Sequence, residues 1–293
     1  MDLALLLDQP DLVKPSASRR FTFGPPKAPA LAILNGRGAT FEGGADEPAL
    51  SLKWLPEGMA EYRSEGHDYR LAGTTQLLLN RGQPYRMRMR GKSESFVLFF
   101  PETAANAAWQ MQTGEAGQMP ETPTVAAAGS DHLQQHLSDL RKECRRDTPN
   151  GESMTELSCA ILNDVVALAE IRRRRVARLP ALRKTTRDEL LRRVLRAESY
   201  LAETGAKATL PGAARAAALS PFHLIRMFEA AFGATPLAYA AAKRLERAHA
   251  MLSNTALPIV EIALAAGYEN RNAFDRAFVR RFRITPGAVR AQG

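Results

Sequence analysis

Apolar and polar positions along the chain change rhythm near residue 100. From Ala30 onward, apolar residues come in short runs of strand-forming types, at residues 31–34, 50–54, 60–63, 69–71, 76–79, 85–89 and 96–100. Turn-formers punctuate them at Gly43-Gly44, Pro56-Glu57-Gly58, Glu65-Gly66, Ala72-Gly73, Arg81-Gly82 and Gly91-Lys92. Short strands with regular turns predict a small antiparallel sandwich or barrel. Residues 1–30, with Pro10, Pro15, Pro25, Pro26 and Pro29, read as an arm with a short strand at 20–23. The Ala-, Thr- and Pro-rich stretch 101–130 reads as a connection.

Beyond residue 130 the spacing becomes helical. Leu133, Leu137, Leu140 and Cys144 form one apolar stripe; after a Pro149-Asn150-Gly151 turn, Met154, Leu157, Ile161, Val165 and Leu168 form another. Narrow stripes of this kind predict a helical hairpin over 131–176 whose seam contacts one partner surface. The partner is either a second copy of the chain, giving a homodimer, or the strand region that the hairpin covers. An Arg172–Arg175 run and Pro180 mark a linker at 177–186. Thr186 then predicts an N-cap for a helix over 187–203 with Leu190, Leu191, Val194, Leu195 and Leu201 on its apolar face.

The remainder contains one pattern twice. Arg226/Arg276, Phe228/Phe278, Phe232/Phe282, Thr235/Thr285 and Pro236/Pro286 are 50 positions apart, whereas Ala214/Ala263 and Ala218/Gly267 are 49 apart. One residue is therefore inserted in the second copy near Glu269, where a turn is expected. A repeat interrupted only at a turn predicts two copies of one structural unit. Each copy reads as a short helix, a tight turn and a longer helix, which is a helix-turn-helix. Thr209 caps the first short helix, Ser220-Pro221 starts a helix that runs to Phe232, and a long helix over 236–252 presents Leu237, Leu245, Ala248 and Leu252 to both units. Pro258 starts the second short helix, and 270–282 forms the last long one.

Charge sharpens this division. The net charge is +9, and residues 183–293, with 18 Lys+Arg against 9 Asp+Glu, carry all of it. A basic domain beside a neutral one points to a polyanion, most commonly nucleic acid, and the helix-turn-helix units make double-stranded DNA the expected partner. Two cysteines are too few for a disulfide framework or a Cys-rich zinc site. With no apolar run of spanning length and an acidic, uncleavable-looking start, the expectation is a cytoplasmic protein with no membrane partner. His132 and His136 have i, i+4 metal spacing but lack a third ligand nearby. No metal, cofactor or catalytic residue is expected, and the chain reads as a non-enzyme.

Candidate chemistry lies on the exposed side of the two longer helices. It comprises Phe222, Ile225 and Arg226 in the first copy, and Arg271, Asn272, Ala273 and Arg276 in the second. Arg can donate two bonds to guanine, Asn can pair twice with adenine, and apolar tips can meet a thymine methyl in the major groove. The first copy, with one Arg and apolar groups, would lean on methyl contacts and DNA shape. Phe228, Phe232, Phe278 and Phe282 read as core.

The segment from Ala214 to Arg290 resembles the DNA-binding domain of the AraC/XylS family of bacterial transcription regulators. The matching residues are Leu219-Ser220-Pro221-x-His223-Leu224-x-Arg226-x-Phe228, Phe232-Gly233-x-Thr235-Pro236, Tyr239, Arg244-Leu245-Glu246-Arg247-Ala248, Ile262-Ala263, Gly267-Tyr268, Phe274-x-Arg276-x-Phe278 and Thr285-Pro286-x-x-Val289-Arg290. Residues 179–183 and 186–190 are similar to that family's linker and first helix. The resemblance implies two helix-turn-helix units joined by one rigid helix, with base-facing roles on the seven residues just named. It further implies RNA polymerase as a partner if the protein is an activator. Three positions depart from the family pattern: Ala218 and Arg283 replace glycines, and Ile225 replaces a commonly polar residue. Residues 65–73, 77–79 and 82–85 are similar to the family's cupin-like sensor domain, which implies a small-molecule effector of unknown identity.

The expected fold is α+β: a cupin-like β-barrel (1–130), the hairpin, and an all-α domain of two helix-turn-helix units (187–293). The expected function is sequence-specific transcriptional regulation with two recognition helices in successive major grooves. A non-specific architectural nucleic-acid binder and a metal-dependent cupin enzyme fused to a DNA-binding domain are the alternatives.

Overall fold

The structure is a computed structural model that describes Leu7 and residues 11–13, 31–180 and 183–292. The expected strand at 20–23 lies outside these residues. The chain forms two compact units, Met1–Arg174 and Arg175–Gly293.

In the first unit, strands β1 (Asp11–Val13), β2 (Ala32–Ala45), β3 (Leu50–Ser64), β4 (His67–Leu71), β5 (Thr75–Leu79), β6 (Tyr85–Phe100) and β7 (Ala126–Ala128) make one sheet. Its order is β1-β2-β6-β3-β5-β7, with β4 also paired to β3. All described pairings are antiparallel except β1–β2.

Two expectations fail here for one physical reason. Several glycine signals read as turns are irregularities inside long strands. Residues 50–54 and 60–63 belong to a single strand, as do 85–89 and 96–100. The β3–β6 register shifts between Trp54 and Glu57 and between Glu57 and Met59, and β2–β6 shifts between Gly38 and Thr40. Gly58 sits at φ +83° with the side chain of Ser93 where a Cβ would go. Such bulges bend a strand instead of ending it. The cupin-like barrel is corrected accordingly: β1 and β7 stand at opposite ends of the pairing order, so the sheet is open.

Both faces of the sheet are buried. One carries Ile33, Leu52, Trp54, Phe96, Leu98 and Phe100 and packs against helices. The other gathers Leu55, Tyr62, Leu77, Leu79, Tyr85, Met87 and Met89, contributed by strands alone.

The stretch read as a connection contains helix α1 (Glu102–Thr113), which buries four alanines and Trp109 against the sheet. Ala-rich helices have little apolar bulk to mark their periodicity, and here the tryptophan supplies it. Helices α2 (Asp131–Cys144) and α3 (Gly151–Arg178) form the hairpin. Ser130 Oγ accepts from Leu133 N at 3.1 Å, and Glu143 accepts from Asn150 N at 2.8 Å to brace the turn. Leu133, Leu137, Leu140, Cys144, Met154, Ile161 and Val165 join the sheet's core. The stripes that suggested a dimer seam therefore cover the sheet. Buried Glu94 on β6 accepts hydrogen bonds from Arg37, Arg141 and Arg145. Burial raises its pKa, but the guanidiniums outweigh burial and hold it below the usual carboxylate range.

The second unit is helical. Helix α4 (Lys184–Thr204) has its N-cap at Arg183, three residues before the expected Thr186 cap, and Arg183 makes no side-chain cap hydrogen bond. Then come α5 (Leu210–Ala217), α6 (Pro221–Phe232), α7 (Pro236–Asn254), α8 (Ile259–Ala265), α9 (Arg271–Phe282) and α10 (Pro286–Gln292). Leu245, Ala248 and Leu252 of α7 are core, whereas Leu237 is 45% exposed, against expectation. No helix among the described residues is long and apolar enough to cross a membrane.

Candidate nucleic-acid interface

The two units α5–α6 and α8–α9 are built by the same backbone bonds. In the first turn, Ala218 N donates to Arg215 O and Leu219 N to Ala214 O, both at 3.0 Å. In the second, Gly267 N donates to Leu264 O at 2.9 Å and Tyr268 N to Ala263 O at 3.0 Å. These pairs are 49 residues apart. Past Glu269 the offset becomes 50. Ser220 Oγ accepts from His223 N as Asn270 Oδ1 accepts from Ala273 N. Gly233 N and Arg283 N close the helix C-termini at 2.8 Å onto Glu229 O and Val279 O. Thr235 and Thr285 cap the next helices through Ala238 N and Ala288 N. The extra residue thus lies at Glu269, between turn and helix.

The turns require left-handed backbone. Gly267 has φ +81°, and a Cβ there would stand 2.4 Å from Ala206 Cβ. Ala218 (φ 52°) and Arg283 (φ 61°) adopt this conformation without being glycine, each at a cost of about 1–2 kcal/mol.

Beneath the interface, aromatic clusters hold each longer helix. Phe228 and Phe232 stack at 4.3 Å with Tyr239 edge-on to both, while His249 stacks on Phe278 beside Phe274 and Phe282. Arg244, Arg247 and Arg290, which are cations of the repeat region, are spent on the scaffold. Their guanidiniums donate to the carbonyls of Gly205, Ala202, and Leu252 and Leu257 respectively. Glu246 collects Lys243 and Arg281. Burial acts to raise its pKa, and these two cations overcome that and lower it.

Above the clusters, α6 and α9 present matched positions. Phe222/Asn272 and Arg226/Arg276 are exposed, Ile225/Asp275 are half-buried, and Leu224/Phe274, Met227/Ala277 and Phe228/Phe278 are buried. Phe222 is 73% exposed, an aromatic ring that the fold itself does not use. Arg271 is exposed and Ala273 half-buried at the α9 N-terminus. All seven expected residues therefore lie on the first two turns of α6 or α9. Arg226, Arg276, Arg280 and Arg283 meet no carboxylate among the described residues. Arg271 does: its Nε lies 3.5 Å from Asp275 Oδ2.

Sequence reasoning missed two positions here. Asp275 occupies the place of Ile225, and His223 that of Ala273. The 50-residue offset, applied to every candidate residue, would have named both. Elsewhere, His136 of the candidate metal pair lies 2.8 Å from Asp164 Oδ2, and no group of three metal-ligating side chains occurs among the described residues.

Comparison with known proteins bears on residues 213–292, which match a family described as a helix-turn-helix domain. The RCS-specific HTH-type transcriptional activator RclR of Escherichia coli is 39% identical over 82 residues, 28% of this chain and 29% of its own length. The HTH-type transcriptional regulator MtrA of Neisseria gonorrhoeae is 21% identical over 242 residues, covering 83% of this chain and 77% of its own. Among solved structures, the C-terminal domain of AraT, a response regulator from Geobacillus stearothermophilus, is 30% identical and covers 34% of this chain and 85% of that one, with a TM-score of 0.33. The chain thus spans under a third of the first relative's length.

Proposed function

We propose that residues 213–292, which match a helix-turn-helix domain family, form a DNA-binding domain of the AraC/XylS type, and that the chain is a sequence-specific DNA-binding regulator of transcription. Helices α6 and α9 enter successive major grooves on one DNA face, about 34 Å apart. Arg226 and Arg276 each pair with a guanine, Asn272 with an adenine, and Phe222 and Ile225 with thymine methyls. The positive excess of the second unit supplies affinity through counterion release. The observation that carries this reading is the matched pair of exposed arginines, on helices with equivalent caps and burial, neither tied to a carboxylate.

The first unit receives the regulatory input. A small-molecule effector binds within the bent sheet, and dimerisation uses the outer face of α3, where Leu168 is half-buried and Ile171 is 46% exposed. RNA polymerase is the further partner if the protein activates.

The test is selection of bound sequences from a random duplex pool by the full-length protein, followed by Arg226→Ala and Arg276→Ala. A bipartite motif with parts one helical turn apart, each part degraded by one of the two substitutions, supports the reading. Enrichment of no motif at matched salt would leave a non-specific nucleic-acid binder.

A further inference from the structure

The strand-lined face of the sheet holds a lysine with no role in the DNA-binding reading. Lys53 on β3 is wholly buried. Its Nζ lies 3.0 Å from Ser51 Oγ and stands over two rings, 4.2 Å from the centre of Tyr85 and 4.8 Å from that of Phe99. No carboxylate pairs with it among the described residues. An ammonium has three protons to place, and one hydroxyl and two ring faces serve it poorly. Burial without a counter-charge drives the amine well below the ordinary lysine range and favours the neutral form, with its lone pair free.

The surroundings narrow the chemistry. Tyr62 flanks the same Tyr85 ring at 5.9 Å. It is 1% exposed, and its hydroxyl has no hydrogen-bond partner of good geometry, although Ser95 lies alongside. Leu55, Leu77, Leu79, Met87 and Met89 complete an apolar wall. Lys53 pairs with Leu77 of β5, and only three-residue β7 lies beyond β5, so the lysine is two strands from an open edge of the sheet. An incoming carboxylate would find one amine that it must first protonate. A carbonyl would find a nucleophile, an unengaged phenol and an apolar wall, the setting in which desolvated lysines act on carbonyl compounds.

We propose that Lys53 is a carbonyl-capture site and that the effector of the first unit is an apolar aldehyde held as an imine on Nζ. This rests on the effector-responsive reading above. The Nζ lone pair attacks the carbonyl carbon to give a carbinolamine. The carbinolamine then loses its hydroxyl together with the nitrogen's remaining proton as water. Amine and aldehyde become imine and water with no change of oxidation state.

The experiment treats full-length protein at neutral pH with hexanal and cyanoborohydride, maps the alkylated peptides, and measures DNA affinity on the same samples. Lys53 should be labelled on the order of tenfold or more faster than the exposed Lys142 and Lys243, which are tied in ion pairs to Asp139 and Glu246. Lys53→Met, with Lys53→Gln as a second variant checked by thermal melting, should lose only that adduct. Labelling of Lys142 and Lys243 with Lys53 untouched overturns the proposal. So does Lys53-dependent binding of hexanoate without any hexanal adduct, which would make this an anion site. An adduct at Lys53 with unchanged DNA affinity keeps the capture site and removes its effector role. Hexanal that alters DNA affinity without a Lys53 adduct overturns the capture site and keeps effector control.

Discussion

The two helix-turn-helix units share a skeleton and differ on their faces. Turn bonds, caps and buried aromatics recur at offsets of 49 and 50 residues. The exposed tips do not: Pro221, Phe222, His223 and Ile225 stand opposite Arg271, Asn272, Ala273 and Asp275, and only Arg226 and Arg276 agree. Backbone groups that cannot go unpaired leave few solutions for a tight turn between packed helices. An exposed side chain is held by no such demand. The same fold therefore carries a largely apolar tip in the first unit and a polar, charged tip in the second.

The most severe way to break the equivalence is through the cores. Phe228→Ala and Phe278→Ala should each cost about 3–5 kcal/mol of stability, because both rings are fully buried in aromatic clusters. Chemical denaturation of the full chain checks this; a cost from one alone would mean that the units do not share a packing logic. Next in size come the shared arginines. Arg226→Ala and Arg276→Ala should each lose about 1–3 kcal/mol of binding at one base position. Competition binding with single-base-substituted duplexes reads this directly, and equal losses on cognate and scrambled DNA would reduce both residues to phosphate contacts.

How much was legible in the chain follows from which forces leave local marks. The second unit's helices were readable from Ser220-Pro221, Thr235-Pro236 and the aromatic spacing, because caps and i, i+4 packing are local. The sheet was less so. Gly58 and Gly91 carry the same signature in a bulge as in a turn, and only the partner strand, distant in sequence, distinguishes them. The hairpin's stripes stated that one side is covered but not by what, and the covering surface is the sheet. All seven expected residues lie on the longer helices, whereas Asp275 went unnamed because an acid offers neither the guanine or adenine pairing of Arg and Asn nor a methyl contact.

The turns allow a smaller and reciprocal test. Gly267→Ala places a methyl against Ala206 and strains φ +81°, so it should destabilise by about 1–3 kcal/mol. The reverse change, Ala218→Gly, and likewise Arg283→Gly, should stabilise by about 0.5–1 kcal/mol once glycine's larger unfolded entropy is counted. Thermal melts of the three variants suffice. Destabilisation by Ala218→Gly would show that the first turn gains more from alanine's restricted unfolded chain than it loses to its left-handed conformation.

The finest distinction between the units is Ile225 against Asp275. Asp275 is the acid on the α9 face; it holds Arg271 at 3.5 Å, and its other oxygen is buried without a hydrogen bond. An acid facing DNA repels phosphates and keeps Arg271 from them, so removing it frees one cation. Asp275→Ala should therefore tighten binding to cognate and scrambled duplexes alike by about 0.2–1 kcal/mol, the scale of an exposed ion pair. It should also steepen the salt dependence by about one counterion. Anisotropy titrations at two salt concentrations measure both. If cognate binding instead weakens while scrambled binding tightens, Asp275 accepts a hydrogen bond from a cytosine amine. The second unit would then read three kinds of base edge where the first reads one edge and a set of methyls.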